Sequence, residues 1–467
     1  MATGKTFQIS TAIDYPSGKP HLGHTYEKIV ADVIARYHRK KGEKVHFSTG
    51  LDCHGSKIEK YAKKAGKTPK EFVDELEPFF LKLCKDYDIS YDDFIKTTEK
   101  RHKDVVIKMI NNLFKKGDIY KGTYNGYYCS DCETYYSKEE LNNGCCPIHN
   151  KQAEFLEEES YFFRMSKYQT KLTEYIKKNP DFIQPSKKRN EILSRLKEPL
   201  HDLSLTREKV NWGIPFPIDK KFVVAIWIDA LVNYLSSVDY PNKKYKDFWP
   251  ALHVIGSDII WHHAVIWGTW LMALDIKLPK IFVHGFIRSE TGEKMSKSLG
   301  NVIDPSKLVE IYPADSIRYF LLRNISLGED GDFSEQALID RHNNELANKL
   351  GNLVSRVAGL IEKNGTEKTE NKLIKGLNFK KIDKHMDNFE LDKALNEIFA
   401  FIDICNEYVQ KKKPWETKDR KVLFELKESI LEISKLLFPF IPSTSEKITE
   451  QFSSKNIKKG EILFNKI

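Results

Sequence analysis

Neither of the common glycine-rich phosphate loops occurs in this chain: there is no G-x-G-x-x-G and no G-x-x-x-x-G-K-[ST]. A dinucleotide-binding Rossmann enzyme and a P-loop NTPase are therefore disfavoured. Long apolar runs are also missing. The most apolar window, Ile259 to Leu274, holds His262 and His263 and falls short of the roughly 20 residues a membrane helix needs, so it reads as a buried helix. The N-terminus, M-A-T-G-K-T-F-Q-I-S, has neither an apolar h-region nor an Arg-rich amphipathic pattern. Secretion and organelle import are disfavoured, and a cytoplasmic location is expected. Cysteine is sparse, with seven in 467 residues, an odd number, and four of them fall between Cys129 and Cys146. That distribution favours a metal knuckle in a reducing compartment over a disulfide framework.

The length implies roughly three domains at about 150 residues each. Hydrophobic residues at 40% and charged residues at 30% describe a soluble globular protein. Lys+Arg 75 against Asp+Glu 66 leaves a formal charge of +9, a moderate excess that permits a polyanionic partner. The stretch Thr291 to Asn301, T-G-E-K-M-S-K-S-L-G-N, places Lys294 and Lys297 between Gly292 and Gly300. Taken alone it is either a solvated surface loop or a mobile cationic loop able to close over polyphosphate, for which the flexible lysine ammonium is suited.

In chain order, Thr6 to Ile13 is a short β-rich run that turns at Asp14 to Pro20 and leads into H-L-G-H. From Leu22 through Arg39 the apolar residues Ile29, Val30, Val33, Ile34 and Tyr37 recur at helical spacing, so His21 and His24 stand at a helix N-terminus on one face. Such a terminus offers backbone N–H groups and a positive dipole end to a phosphate, and Gly23 permits close approach. The bland reading of the pair is cap or core. The next strand, Lys44 to Ser48, runs into T-G-L-D-C-H-G, placing Asp52 and His54 at the sheet edge where open parallel sheets bind ligands.

From Asp118 the texture turns aromatic and turn-rich, through C-S-D-C to C-P-I-H. Cys129, Cys132, Cys146 and His149 form two C-x-x-C/H knuckles at the spacing of a structural tetrahedral Zn²⁺, with Cys145 a rival to Cys146. After W-G-I-P-F-P the apolar run Phe222 to Ile228 is expected to be a buried parallel strand ending in W-I-D-A. The strand Leu252 to Ile255, the loop Gly256, Ser257, Asp258, the buried helix and the strand Lys280 to His284 deliver the chain to the lysine loop. The expected fold is α/β: a doubly wound parallel-sheet, Rossmann-like domain interrupted by a small zinc-knuckle insertion and followed by an α-helical bundle. The expected divisions are 1–117, 118–211 for the insertion, 212–325, and 326–467 for the helices. In the tail, Leu346, Leu350, Leu353, Val357 and Ile361 form one helical stripe.

A first strand followed by H-L-G-H and a late K-M-S-K-S loop resemble the two signature motifs of class I aminoacyl-tRNA synthetases. With T-G-L-D-x-H-G, the zinc knuckle, W-G-I-P-F-P, W-x-D-A and G-S-D-I, the chain resembles the methionyl-tRNA synthetase family over nearly its whole length. The resemblance implies that ATP with Mg²⁺, L-methionine and tRNA(Met) are the reactants, with a methionyl-adenylate intermediate. It assigns His21, Gly23 and His24, with Lys294 and Lys297, to the triphosphate, and Gly256 and Asp258 to the adenosine. For methionine it implies Ile13, Tyr15, Asp52, Trp227, Ala230, Tyr234, Ile259 and His263, with Leu231 standing where many relatives carry proline. In the tail, Asn352 and Arg356 match the family's anticodon motif, and Trp415, after Lys411 to Lys413 and Pro414, its anticodon-stacking tryptophan. A monomer is expected. The competing readings are another class I enzyme, the cysteinyl type above all, and a catalytically silent tRNA-binding protein.

Overall fold

The computed structural model describes residues 4–129, 134–136, 138, 140–147, 150–288 and 303–467. The lysine loop with Lys294 and Lys297, and the knuckle residues Cys132 and His149, lie outside the described residues. The chain packs as two compact units. One comprises Met1–Pro20, Gly42–Lys82 and Tyr91–His284; the other comprises His21–Lys41, Leu83–Ser90 and Gly285–Ile467. The helix that follows the first strand thus packs with the second unit.

The first unit contributes strands β1 (Thr6–Thr11), β2 (Lys44–Leu51), β3 (Asp93–Lys96), β4 (Ile119–Cys129), β5 (Thr134–Tyr136) and β6 (Glu154–Phe163). It continues with β7 (Ile183–Gln184), β8 (Leu203–Ser204), β9 (Thr206–Arg207), β10 (Val223–Val224), β11 (Leu252–Gly256) and β12 (Lys280–His284). A six-stranded sheet runs in the order β3-β2-β1-β11-β12-β7, every pair parallel, so the winding reverses between β1 and β11. Ile9, Phe47, Val254, Ile255 and Val283 have no exposed surface, the pattern of a sheet covered on both faces. Gly50 is needed where β2 meets β3, since a Cβ there would lie 1.8 Å from the Ile95 carbonyl oxygen. The insertion builds a separate antiparallel sheet, β5-β4-β6-β8, around the long antiparallel pair β4 and β6. It also returns β7 to the edge of the main sheet beside β12.

The run Phe222 to Ile228 is not the expected parallel strand. Only Val223–Val224 is extended, antiparallel to β9, and a buried helix starts at Ile226 and runs to Ser236. Uniform apolarity over so few residues fits a buried helix as well as a strand, and the buried helix prevails. The expected buried helix from Ile259 begins with a 3₁₀ turn, Ser257–Ile259, and passes through a π-helical turn, His262–Ile266, before the α-helix Trp267–Ala273.

In the second unit, helix α1 (Leu22–Lys40) packs with a set of further helices. β13 (Ile287–Arg288) pairs in parallel with β14 (Gly331–Asp332). The tail stripe Leu346, Leu350, Leu353, Val357 and Ile361 is buried, each side chain contributing roughly 1.5–3 kcal/mol of transfer free energy. Its helix is π-helical over His342–Gly351 and α-helical over Asn352–Asn364.

Candidate active site

The second unit holds the histidine turn. His21 is the N-cap of α1, where its Nδ1 accepts from the Gly23 amide at 3.1 Å, and His24 Nδ1 accepts from the His21 amide at 3.1 Å. Two of the helix's orphan donors are thereby satisfied reciprocally. Because both Nδ1 atoms accept from backbone N–H, each neutral ring carries its proton on Nε2. The rings stack at 3.8 Å, so the two Nε2–H groups belong to one adjacent pair at a positive helix end. Gly23 is required for this cap: a Cβ would lie 2.9 Å from His21 Cε1.

The first unit holds the other candidates. Asp14 bridges to Leu51, and the Asp52 amide donates to the Asp14 carbonyl at 2.8 Å, so the turn carrying Ile13 and Tyr15 is fixed to the end of β2. Ile13 and Tyr15 are half-buried, and Asp52 is buried. On the helix Ile226–Ser236, Trp227 is half-buried while Ala230, Leu231 and Tyr234 are buried. The Tyr234 hydroxyl meets His263 Nε2 at 2.6 Å, and His263 Nδ1 meets the Ile259 carbonyl at 2.9 Å. A carbonyl only accepts, so Nδ1 carries the proton and Tyr234 donates to Nε2. Burial holds His263 at about 4, neutral through physiological pH. Trp227 stacks on His262 at 3.6 Å and Tyr234 on His253 at 3.8 Å, while His253 Nδ1 meets Ser10 Oγ at 2.7 Å. Tyr234, Ile259 and His263 are thus joined in one hydrogen-bonded group with aromatic walls.

Two further motifs lock onto the same region. Trp212 of W-G-I-P-F-P donates its indole N–H to the Cys53 carbonyl at 2.6 Å, and its ring meets His54 edge-on at 5.4 Å. Asp229 of W-I-D-A receives His54 Nδ1 at 2.6 Å and His102 Nε2 at 2.8 Å, with no exposed surface. Burial pushes the Asp229 carboxyl up, but His54 and His102 hold it at about 2, an ionised carboxylate. Sequence reasoning missed Asp229 and His102. The available signal was a lone acid inside the apolar run I-W-I-D-A-L-V, since a carboxylate there must be paired.

At the end of β11, Gly256 precedes and Asp258 lies within the 3₁₀ turn Ser257–Ile259, whose Ser257 hydroxyl donates to the His284 carbonyl at 2.8 Å. Asp258 is exposed, and a Cβ on Gly256 would lie 2.9 Å from its Oδ1. In the second unit Asn352 and Arg356 are exposed on their helix, and Trp415 is 41% exposed. The helices leading to them are joined by Lys349 to Asp403 at 2.7 Å and by the Asn406 amide to the Lys349 carbonyl at 3.3 Å. In the insertion, Cys129 and Cys146 share a small buried cluster with Tyr136, whereas Cys145 is half-buried and pairs through its backbone with Asn142. Among the described residues no group of three or more metal-ligating side chains is assembled.

A parallel sheet wound in both directions, a histidine-capped helix after its first strand and a helical tail are together the plan of a class I aminoacyl-tRNA synthetase. The family described as tRNA synthetases class I (M) matches residues 7–151 and 131–358, and the anticodon-binding domain of tRNA ligases matches residues 378–466. The methionine--tRNA ligase of Caldanaerobacter subterraneus subsp. tengcongensis is 42% identical across 99% of this chain and 79% of its own length. That of Clostridium tetani is 42% identical over 96% of this chain and 74% of its own. The crystal structure of Mycobacterium tuberculosis methionyl-tRNA synthetase bound by methionyl-adenylate superimposes with a TM-score of 0.93 at 33% identity, covering 99% of this chain and 100% of that one. The chain belongs to the methionyl-tRNA synthetase family.

Proposed function

We propose that this chain joins L-methionine to tRNA(Met) in two steps, with the site residues in the following roles. A methionine carboxylate oxygen attacks the α-phosphorus of ATP, the bond to pyrophosphate breaks, and methionyl-adenylate forms. A 3′-terminal ribose hydroxyl of the tRNA then attacks the acyl carbon, loses its proton, and AMP leaves. The protein supplies position and charge. The Nε2–H groups of His21 and His24 donate to phosphate oxygens on which charge builds, and Lys294 and Lys297 neutralise the departing pyrophosphate. Gly256 and Asp258 hold the adenosine. Asp52 pairs with the methionine ammonium, and Ile13, Tyr15, Trp227, Ala230 and Ile259 wall the side chain. Tyr234, donating to neutral His263, keeps its hydroxyl lone pairs directed by that bond and so sets the pocket's polarity. Asn352, Arg356 and Trp415 take the anticodon, the tryptophan by stacking.

Mg²⁺ bound with ATP would neutralise phosphate charge. A structural Zn²⁺ suits the chemistry of the insertion: the buried Cys129 and Cys146 would supply soft donors, and Cys132 and His149 of the same sequence knuckles would complete the set. Metal analysis tests the choice of cysteine: Cys146→Ser should lose zinc and Cys145→Ser should retain it, and the reverse result would exchange their roles. No helix among the described residues is long and apolar enough to cross a membrane, and action in the cytoplasm fits the reduced-thiol chemistry of a zinc knuckle.

The observation that carries the reading is 42% identity to a methionine--tRNA ligase across 99% of the chain. Mass spectrometry of the protein incubated with ATP, pyrophosphatase and a mixture of amino acids that includes methionine tests it. Protein-bound methionyl-adenylate is the expected product. A different aminoacyl-adenylate, formed from a mixture of amino acids, would overturn the reading.

A further inference from the structure

Asp229 does not line the pocket as read above, yet two distant segments converge on it. His54 is 175 residues away in sequence and His102 is 127, and both meet the carboxylate at hydrogen-bonding distance with no exposed surface on Asp229 or His102. A carboxylate only accepts, so His54 Nδ1 and His102 Nε2 both carry protons here. Buried charge of this kind is a poor source of net stability, because desolvation offsets most of the attraction and an apolar side chain of equal volume packs as well. What a two-pronged carboxylate adds is direction: it fixes where its two partners stand.

Position in sequence shows what is being held. Asp52 lies two residues before His54 in the turn at the end of β2, and the Trp212 indole bonded to the Cys53 carbonyl clamps the same turn. Trp227 lies two residues before Asp229 and Ala230 immediately after it, all at the start of the helix Ile226–Ser236. The His54–Asp229 contact is therefore a bond between the segment that carries Asp52 and the segment that carries Trp227 and Ala230. We infer that Asp229 and His54 are positioning residues for methionine, setting the distance between the Asp52 carboxylate that takes the ammonium and the aromatic wall that takes the thioether. The inference rests on the methionine pocket proposed above. His102 acts as the second brace, holding Asp229 from the helix Lys100–Lys115. The substrate's two ends are then measured against each other by a link that touches neither.

The test is ATP–pyrophosphate exchange with the full-length protein, comparing methionine with 4-methylthiobutanoate, which lacks the amino group, as a competitor. Asp229→Asn keeps the side-chain volume but removes the charge and one acceptor. It should raise the KM for methionine about tenfold and leave the KM for ATP within about twofold. Because Asp52 is displaced from the ammonium, preference for methionine over the des-amino competitor should shrink by a similar factor. His54→Ala should behave alike, and His54→Asn, whose amide N–H stands near the lost Nδ1–H, should recover most of the loss; this pair gives the same reading if D229N fails to fold. Unchanged methionine KM and unchanged preference would overturn the inference. So would equal losses for methionine, its competitor and ATP, which would mark general loosening of the unit. If the unaltered protein exchanges no pyrophosphate with methionine, the pocket assignment itself has failed, and that result appears before any variant is compared.

Discussion

Arg318 and Asp32 form an ion pair with neither side chain exposed, Nη2 to Oδ2 at 2.7 Å. The guanidinium also donates to the carbonyls of Tyr87, Pro439 and Phe440, and the carboxylate takes the Ser90 amide and Arg36 Nε. Burial opposes ionisation of Asp32, but Arg318 and then Arg36 hold its carboxyl below the ordinary range. This pair fixes the middle of α1, the helix that His21 begins. Arg318→Met should lower unfolding free energy by about 3–5 kcal/mol, because a buried carboxylate is left without its main partner. Urea titration reads the change, and a midpoint equal to that of the unaltered protein would show the pair to be dispensable.

Acid should weaken the α/β unit well above the carboxylate range. Burial holds His46 and His263 at about 4, and His253 and His262 well below their ordinary 6.5. Each is neutral when folded and takes a proton when unfolded below pH 6.5. Their contribution is therefore complete above about pH 6.5 and is lost as pH falls toward 4, by at most about 1.4 kcal/mol per pH unit for each. Urea titrations at pH 7, 6 and 5 should show falling stability, with a shallower fall in His253→Asn. Constant stability from pH 7 to 5 would mean that these histidines do not stay neutral in the fold.

The cap that His21 makes and its proposed catalytic role can be separated. Asparagine is a good N-cap, so His21→Asn should hold α1 within about 1 kcal/mol while removing the Nε2–H donor. Pyrophosphate exchange should then fall roughly 10²-fold in kcat. Exchange that falls only in proportion to lost stability would make His21 a cap and nothing more.

Trp415 follows Lys411 to Lys413 and is 41% exposed, as its proposed stacking role requires. Trp415→Ala should leave exchange intact and weaken tRNA charging by about tenfold, the lower part of the range for one stacked base. Equal loss in both assays would make the side chain structural.

What could be read from residues alone follows a physical division. Periodicity exposed α1, the tail stripe and the strands β1, β2, β11 and β12, because burial of one face or of a whole strand leaves a local pattern. The motif turns at His21, Asp52 and Gly256 were visible because each sits at an element boundary marked by glycine or proline. Long-range pairings were not. Asp229 with His54 and His102, and Arg318 with Asp32 across 286 residues, are chosen by the tertiary fold. Both announce themselves only as a charge inside an apolar run, at Asp229 in I-W-I-D-A and Arg318 in S-I-R-Y-F. The run Phe222 to Ile228 misled because uniform apolarity has no period, and β7 was hidden because two extended residues leave almost no trace.

ATP–pyrophosphate exchange with each amino acid in turn tests the central claim most directly. Methionine should drive exchange and the other amino acids, cysteine included, should not. Exchange driven by cysteine, or by no amino acid at all, would contradict it.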